Sequence, residues 1–173
     1  MNMQADPSGF RSAASRFLTG VTVVASIARD GARVGMTANS FTTVSTRPPT
    51  VLVSLMRGRT WQAIMDSGHY SVNVMHAEDL SSCVHFAGKP QPNAAELIEM
   101  DGFPVLPHAI ARFACDVVRS IEIADHTLFI GEVRWCRHQD GSPLGFFANQ
   151  FRHGTGAAIA PAEIPYPPDG WAI

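Results

Sequence analysis

FACDVVRSIEIADHTLFIGEVRWCRH, residues 113–138, decides the fold. Apolar and polar side chains alternate along both halves, as they do in strands that bury one face. The halves meet at Asp125-His126, so the segment predicts two long antiparallel strands, Phe113 to Ile123 and Thr127 to His138. Outward from this pair the same signal recurs. Val21 to Ala28 is β-branched and apolar, Asp30-Gly31 is a hairpin turn, and the chain returns as a strand through Val34 to Thr43. Arg47-Pro48-Pro49 then breaks the pattern. Val51 to Met56 is apolar on both faces, which predicts a central strand, and Tyr70 to Met75 and Leu144 to Ala148 read as two more.

Helices are few and short. One runs from a Ser8 cap through Leu18 to a stop at Gly20, and one starts at Thr60 as N-cap and continues to Asp66. A third opens at Asp79 and reaches Phe86-Ala87-Gly88. Residues 89 to 109, with Pro90, Pro92, Pro104 and Pro107, form a long irregular excursion holding one helical turn around Ala94 to Met100. Loops of that length inside a compact domain are usually functional. The sum is a mainly β fold of six or seven strands, an antiparallel barrel with helical decorations.

A chain of 173 residues fits one domain, 1–173, and is long enough to need no disulfide or metal. Its core spans about residues 10–152, and a tail at 158–173 carries Pro161, Pro165, Pro167 and Pro168. That tail is excluded from regular helix or sheet interior; it is either loose or lies across a partner subunit. With 16% charged residues the surface is charge-poor, a pointer to burial in an oligomer. Net charge is −2 and the arginines are dispersed, which argues against nucleic acid. Three cysteines without a CxxC argue against a disulfide framework or zinc ribbon, and Cys136 with His138 reads as a buried thiol and a rim histidine. Reduced thiols point to the cytoplasm. Arg11 and Arg16 before an apolar run outline a signal peptide, but Thr19, Gly20 and Thr22 interrupt it, and no stretch is long enough to span a bilayer.

Phosphate-loop, zinc-protease and nucleophile-elbow motifs are missing, and Gly154-Thr155-Gly156 reads as tail flexibility rather than a dinucleotide turn. Three segments carry chemistry. Gly35-Met36-Thr37-Ala38-Asn39-Ser40-Phe41 sets hydroxyl and amide groups in a strand otherwise fit for a core, so they want a polar partner or form an exposed edge. Ser54-Leu55-Met56-Arg57-Gly58-Arg59-Thr60 runs from strand through a glycine turn to a helix start, which suits a phosphate or is a plain cap with solvated arginines. Asp125-His126-Thr127 puts a histidine beside an acid at a strand start.

In this order and spacing, these segments, together with Phe17-Leu18-Thr19-Gly20-Val21-Thr22-Val23-Val24, Arg47-Pro48-Pro49, Ser67-Gly68-His69-Tyr70-Ser71-Val72-Asn73-Val74 and Phe86-Ala87-Gly88, resemble the flavin reductase family, the small components of two-component flavin-dependent monooxygenases. The resemblance covers residues 10 to 152. It implies a split β-barrel that binds FMN or FAD, uses NADH or NADPH, dimerises, and serves a separate monooxygenase through diffusible reduced flavin. Carried over, Thr37, Ala38, Asn39 and Ser40 line the isoalloxazine, while Ser54, Leu55 and Met56 follow the ring and ribityl chain. Thr60 lies near the phosphate, Phe86, Ala87 and Lys89 flank the flavin's outer end, and His126 faces the nicotinamide. Three positions depart from the family. Ala124 stands where glycine is usual, Arg57-Gly58 replaces a serine-rich turn, and Phe151 replaces a tyrosine. A non-catalytic flavin-binding protein and a pyridoxamine-phosphate type of oxidase are the alternatives on the same barrel.

Overall fold

Residues 6–154 are described by the structure, a computed structural model. From the N-terminus they form α1 (Pro7–Ala14), β1 (Thr19–Gly20), β2 (Thr22–Ile27), β3 (Arg33–Ala38), β4 (Thr42–Thr46), β5 (Pro49–Met56), α2 (Arg59–Ser67) and β6 (His69–Val74). There follow α3 (Leu80–Phe86), β7 (Ile98–Met100), β8 (Phe103–Val105), β9 (Ala111–Ile123), β10 (His126–His138), β11 (Leu144–Phe147) and β12 (Gln150–His153). The fold is mainly β and antiparallel, with few helices. The proline-rich tail, and Thr155-Gly156 of the glycine turn, lie outside the described residues.

The β9–β10 ladder forms as its alternation predicts, pairing from Ile123 with His126 to Ala111 with His138. Its turn is Ala124-Asp125, one residue earlier than read from the sequence, and Ala124 takes φ 53°. That left-handed conformation favours glycine, which explains why the family's usual residue there is glycine. Seven strands make one sheet in the order β3-β2-β6-β9-β10-β5-β4. Its two edge strands, β3 and β4, are neighbours in the chain, joined by Asn39, Ser40 and Phe41. The predicted single return strand, Val34 to Thr43, is therefore divided at that bend. Ser40 holds the bend to the opposite end of the sheet: its hydroxyl donates to the Ser54 carbonyl (2.8 Å) and accepts from the Ser54 N–H (3.0 Å).

Other expectations are corrected by packing. Strand β5 is not covered on both faces; Val51, Val53 and Leu55 point into the core, while Leu52 and Ser54 are half-buried and Met56 exposed. The doubly covered strand is β2, buried from Thr22 to Ser26, because its two faces belong to two cores. One core holds Val24, Val53, Leu55, Tyr70, Val72 and Phe129; the other, on the far face, holds Val23, Ala25, Met75, Cys83, Leu106 and Leu144. Helix α1 is capped by Asp6 rather than Ser8, its carboxylate accepting from the Gly9 N–H at 3.1 Å, and it stops at Ala14 with no buried residue. Helix α2 follows Gly58, which has no side chain to cap it, so Thr60 sits inside the helix and is buried. No helical turn forms at Ala94 to Met100; β7 and β8 make a small hairpin there. Cys83 and Cys115 are buried, with burial pushing each thiol up to about 12, whereas Cys136 is exposed, contrary to the reading of that pair.

The 89–109 excursion is tied down rather than free. Asn73, fully buried, donates to the Val23 carbonyl (3.0 Å) and accepts from the Leu106 N–H (2.9 Å). Ser71 donates to the Pro104 carbonyl, and Arg112 donates through Nε to the Leu106 carbonyl at 2.8 Å. Replacing Asn73 by Ala strands one buried donor and one buried acceptor at about 1–3 kcal/mol each. Urea unfolding of Asn73→Ala is expected to show a loss of about 2–4 kcal/mol, with little change if the excursion is not anchored there.

Candidate functional site

The bend between β3 and β4 opens two adjoining clefts. The smaller, about 220 Å³, is lined by Val21, Thr37, Ala38, Asn39, Ala87, Phe146 and Phe151. The larger, about 650 Å³, runs from Asn39, Ser40, Phe41 and Thr42 to α1, where Arg11 and Ser15 close it. Asn39 and Phe146 belong to both. Edge position matters here. Strand β3 pairs only with β2, so the outward-pointing N–H and C=O groups on its other side have no strand partner and remain available to a ligand.

Sequence explains how the walls come together. The Thr37 hydroxyl donates to the Cys83 carbonyl at 2.6 Å, fixing β3 under α3 and bringing Ala87, just past the helix end, to the cleft. Gly35 makes room for this, since a Cβ there would lie 3.1 Å from the Phe86 ring. On the other side, Thr19 of β1 pairs with Phe146 of β11, and Phe146 meets Phe151 edge-on at 5.4 Å. Three aromatic or apolar elements distant in sequence thus frame one polar turn.

A second group stands at the end of β5. His126 pairs with Met56 and Leu128 with Ser54, so directly opposed side chains share the sheet's outer face. His126 Nδ1 lies 2.8 Å from the Asp125 carboxylate. The hydrogen bond to His126 holds Asp125 below its ordinary carboxylate range. With the carboxylate as acceptor, Nδ1 carries the hydrogen, and Nε2 of the neutral ring is left as an acceptor. Nearby, Trp61 Nε1 donates to the Thr127 hydroxyl at 2.8 Å. The arginines at the start of α2 are both engaged: Arg57 pairs with Glu122 (3.1 Å) and lies over the Trp61 ring, and Arg59 pairs with Asp30 (3.6 Å).

The predicted residues therefore fall into separate places. Thr37, Ala38, Asn39 and Ala87 meet in the small cleft, and Asn39 and Ser40 line the large one. Ser54, Met56 and His126 share the outer face of β5 and β10, joined to the bend by the Ser40–Ser54 bonds. Leu55 is 1% exposed and Thr60 4%, so their side chains face the protein interior. Phe86 packs against the second core and Lys89 is exposed, neither on a cleft with the bend residues. Sequence reading missed Arg11, Phe41 and Phe146, which reach the site through strand pairing that no local signal announces. It also left out Asp125, whose adjacency to His126 was visible in the sequence.

Comparison with known proteins places this architecture. A family profile described as "Flavin reductase like domain" matches residues 14–155. The chain is 36% identical over 156 residues to the NADH-dependent flavin reductase of a Rhodococcus species, covering 88% of this chain and 89% of that protein. The solved structure of flavin reductase PheA2 in its native state superposes with a TM-score of 0.82 at 37% identity, covering 87% of this chain and 99% of PheA2. The styrene monooxygenase flavin reductase SMOB from Pseudomonas putida S12 gives 0.80 at 32%, covering 86% of this chain and 99% of SMOB. A bend between edge strands, roofed by an α-helix end and flanked by an Asp-His pair, is thus carried on the scaffold of known reductases, and the chain belongs to the flavin reductase-like family.

Proposed function

We propose that this protein reduces FMN or FAD with NADH or NADPH, releases the reduced flavin to a separate monooxygenase, and works in the cytoplasm as a homodimer. The observation that carries the reading is the bend at Asn39–Ser40: unpartnered edge-strand amides face an apolar cleft lined by Phe146 and Phe151, a setting suited to a flat ring with a polar rim. The relatives named as NADH-dependent flavin reductases support it.

Bound flavin supplies the redox chemistry, accepting hydride at N5 from C4 of the reduced nicotinamide. The chain's own residues bind and orient. Backbone N–H groups at 37–40 stabilise negative charge on the pyrimidine side of the ring, acting as a fixed donor set. Ser54 and Met56 border the path toward α2, to which Leu55 contributes backbone alone. At the α2 start, Thr60 and the helix N–H groups receive the phosphate. Phe86 and Ala87 flank the ring's far end, with Lys89 beyond them. His126, its Nδ1 held by Asp125, presents Nε2 to the nicotinamide carboxamide and positions it rather than exchanging a proton.

The outer face of β5, β10 and β9 supports a dimer. Leu52, Met56, Ile121, Ile123, Leu128 and Ile130 lie together there, with Met56 and Ile123 about half exposed. Apolar area left in water forfeits about 25 cal/mol per Å², so a second copy placed on this face gains from covering it. His126 lies within the same patch, which puts the nicotinamide side next to the partner.

Anaerobic titration of the protein and FMN with NADH is expected to bleach the flavin absorbance within turnover time; a protein that binds FMN without bleaching it is a carrier, not a reductase. His126→Ala is expected to lower kcat/KM for NADH about tenfold or more while the FMN Kd stays within twofold, since positioning is lost and the flavin contacts are not. Unchanged turnover would remove His126 from the mechanism. Leu128→Arg is expected to convert a dimer to a monomer in light scattering, a charge being unacceptable in a covered apolar face. A wild-type monomer at micromolar concentration would sink the dimer.

A further inference from the structure

The larger cleft extends well past the residues that the flavin ring needs. Its distal wall is helix α1, which buries none of its own residues in the core. A helix that contributes nothing to the core but forms one side of a cleft of about 650 Å³ is placed to meet a ligand. The charge in that cleft is one-sided. Arg11 lines it, no aspartate or glutamate does, and Arg11 forms no ion pair among the described residues. By contrast, the other large polar cleft is lined by Glu78, Asp79 and Asp140. Arg57 and Arg59 are committed to Glu122 and Asp30, so within reach of the bend Arg11 is the uncommitted guanidinium. Phe17, 74% exposed on the same wall, offers a bare aromatic face, and the Thr19 hydroxyl, buried without a protein partner, lies beside it.

An unpaired arginine, an uncovered aromatic ring and a carboxylate-free wall suit one chemical class: an adenosine diphosphate group, with the pyrophosphate on the guanidinium and the adenine on the ring. We infer that the cleft under α1 binds the adenosine diphosphate half of a dinucleotide, with Arg11 as its anchoring cation and Phe17 as its stacking surface. The inference rests on the reductase reading, because the cleft shares Asn39 and Phe146 with the proposed ring site. NADH and FAD both carry this group. The donor fits better, since a nicotinamide laid on the ring at the bend directs its other half into the continuous cleft.

Free ADP serves as the probe. In the wild type it competes with NADH, FMN being the acceptor. Arg11→Gln is expected to raise both the ADP inhibition constant and the NADH KM about tenfold, with kcat and the FMN Kd within twofold. Arg11→Lys, which keeps the charge but not the fork, should recover part of that loss, and Phe17→Ala should weaken ADP several-fold. Neither residue is buried, so folding is preserved, and an unchanged melting temperature checks this. In a second arm, FAD and FMN affinities are compared by quenching of flavin fluorescence. A loss confined to FAD assigns the cleft to the flavin's adenylate, and a loss confined to NADH assigns it to the donor; either supports the subsite. No change in ADP affinity, or an equal loss for FMN and FAD, overturns it. Failure of the wild type to bind FMN at all overturns the reductase reading itself, a result separable from any effect of Arg11.

Discussion

One serine hydroxyl holds the site open. Ser40 both donates to and accepts from the backbone of Ser54, so the turn between the two edge strands is locked to the strand that carries Met56. A sheet whose edges follow each other in the chain has to bend sharply somewhere, and the bend leaves backbone groups without strand partners. Elsewhere such an edge invites aggregation. Here it is flanked by aromatic rings and a helix end, which excludes neighbouring chains while admitting a flat ligand.

The rest of the molecule keeps that bend rigid. Strand β2 lies between two cores, so neither of its faces is free to shift. Asn73 and Arg112 convert a long proline-rich excursion from a loop into part of the second core's cover. Tyr70 crosses the first core toward Gly131, where an added Cβ would lie 2.8 Å from the phenol carbon and 2.9 Å from Cys115 Cβ. Close packing of this kind transmits position, which is what orienting two visiting cofactors requires.

Charge is used sparingly and locally. Asp125 spends its carboxylate on Nδ1 of His126, fixing which ring nitrogen faces outward. The arginines at the start of α2 are drawn into exposed ion pairs, which are weak enough to exchange for a phosphate when one arrives. Arg11 has no such alternative. The distribution fits a protein that borrows its substrates and lets them go: anchors lie at the rim in water, whereas the ring site itself is largely neutral.

Alternation and turn residues were sufficient to determine the strands, because a half-buried strand writes its period into the sequence. That legibility extended to the long β9–β10 pair, the β2–β3 hairpin, and the residues 37–40 and His126 as members of a site. Tertiary structure alone decided the break at Asn39–Phe41, the two-faced burial of β2 rather than β5, and the interior position of Thr60. It also decided that Arg11, Phe41 and Phe146 border the same space. These are contacts between segments far apart in the chain. Local propensity carries no record of which surface a residue will meet, and only the closing of the sheet brings α1, the bend and β11 together.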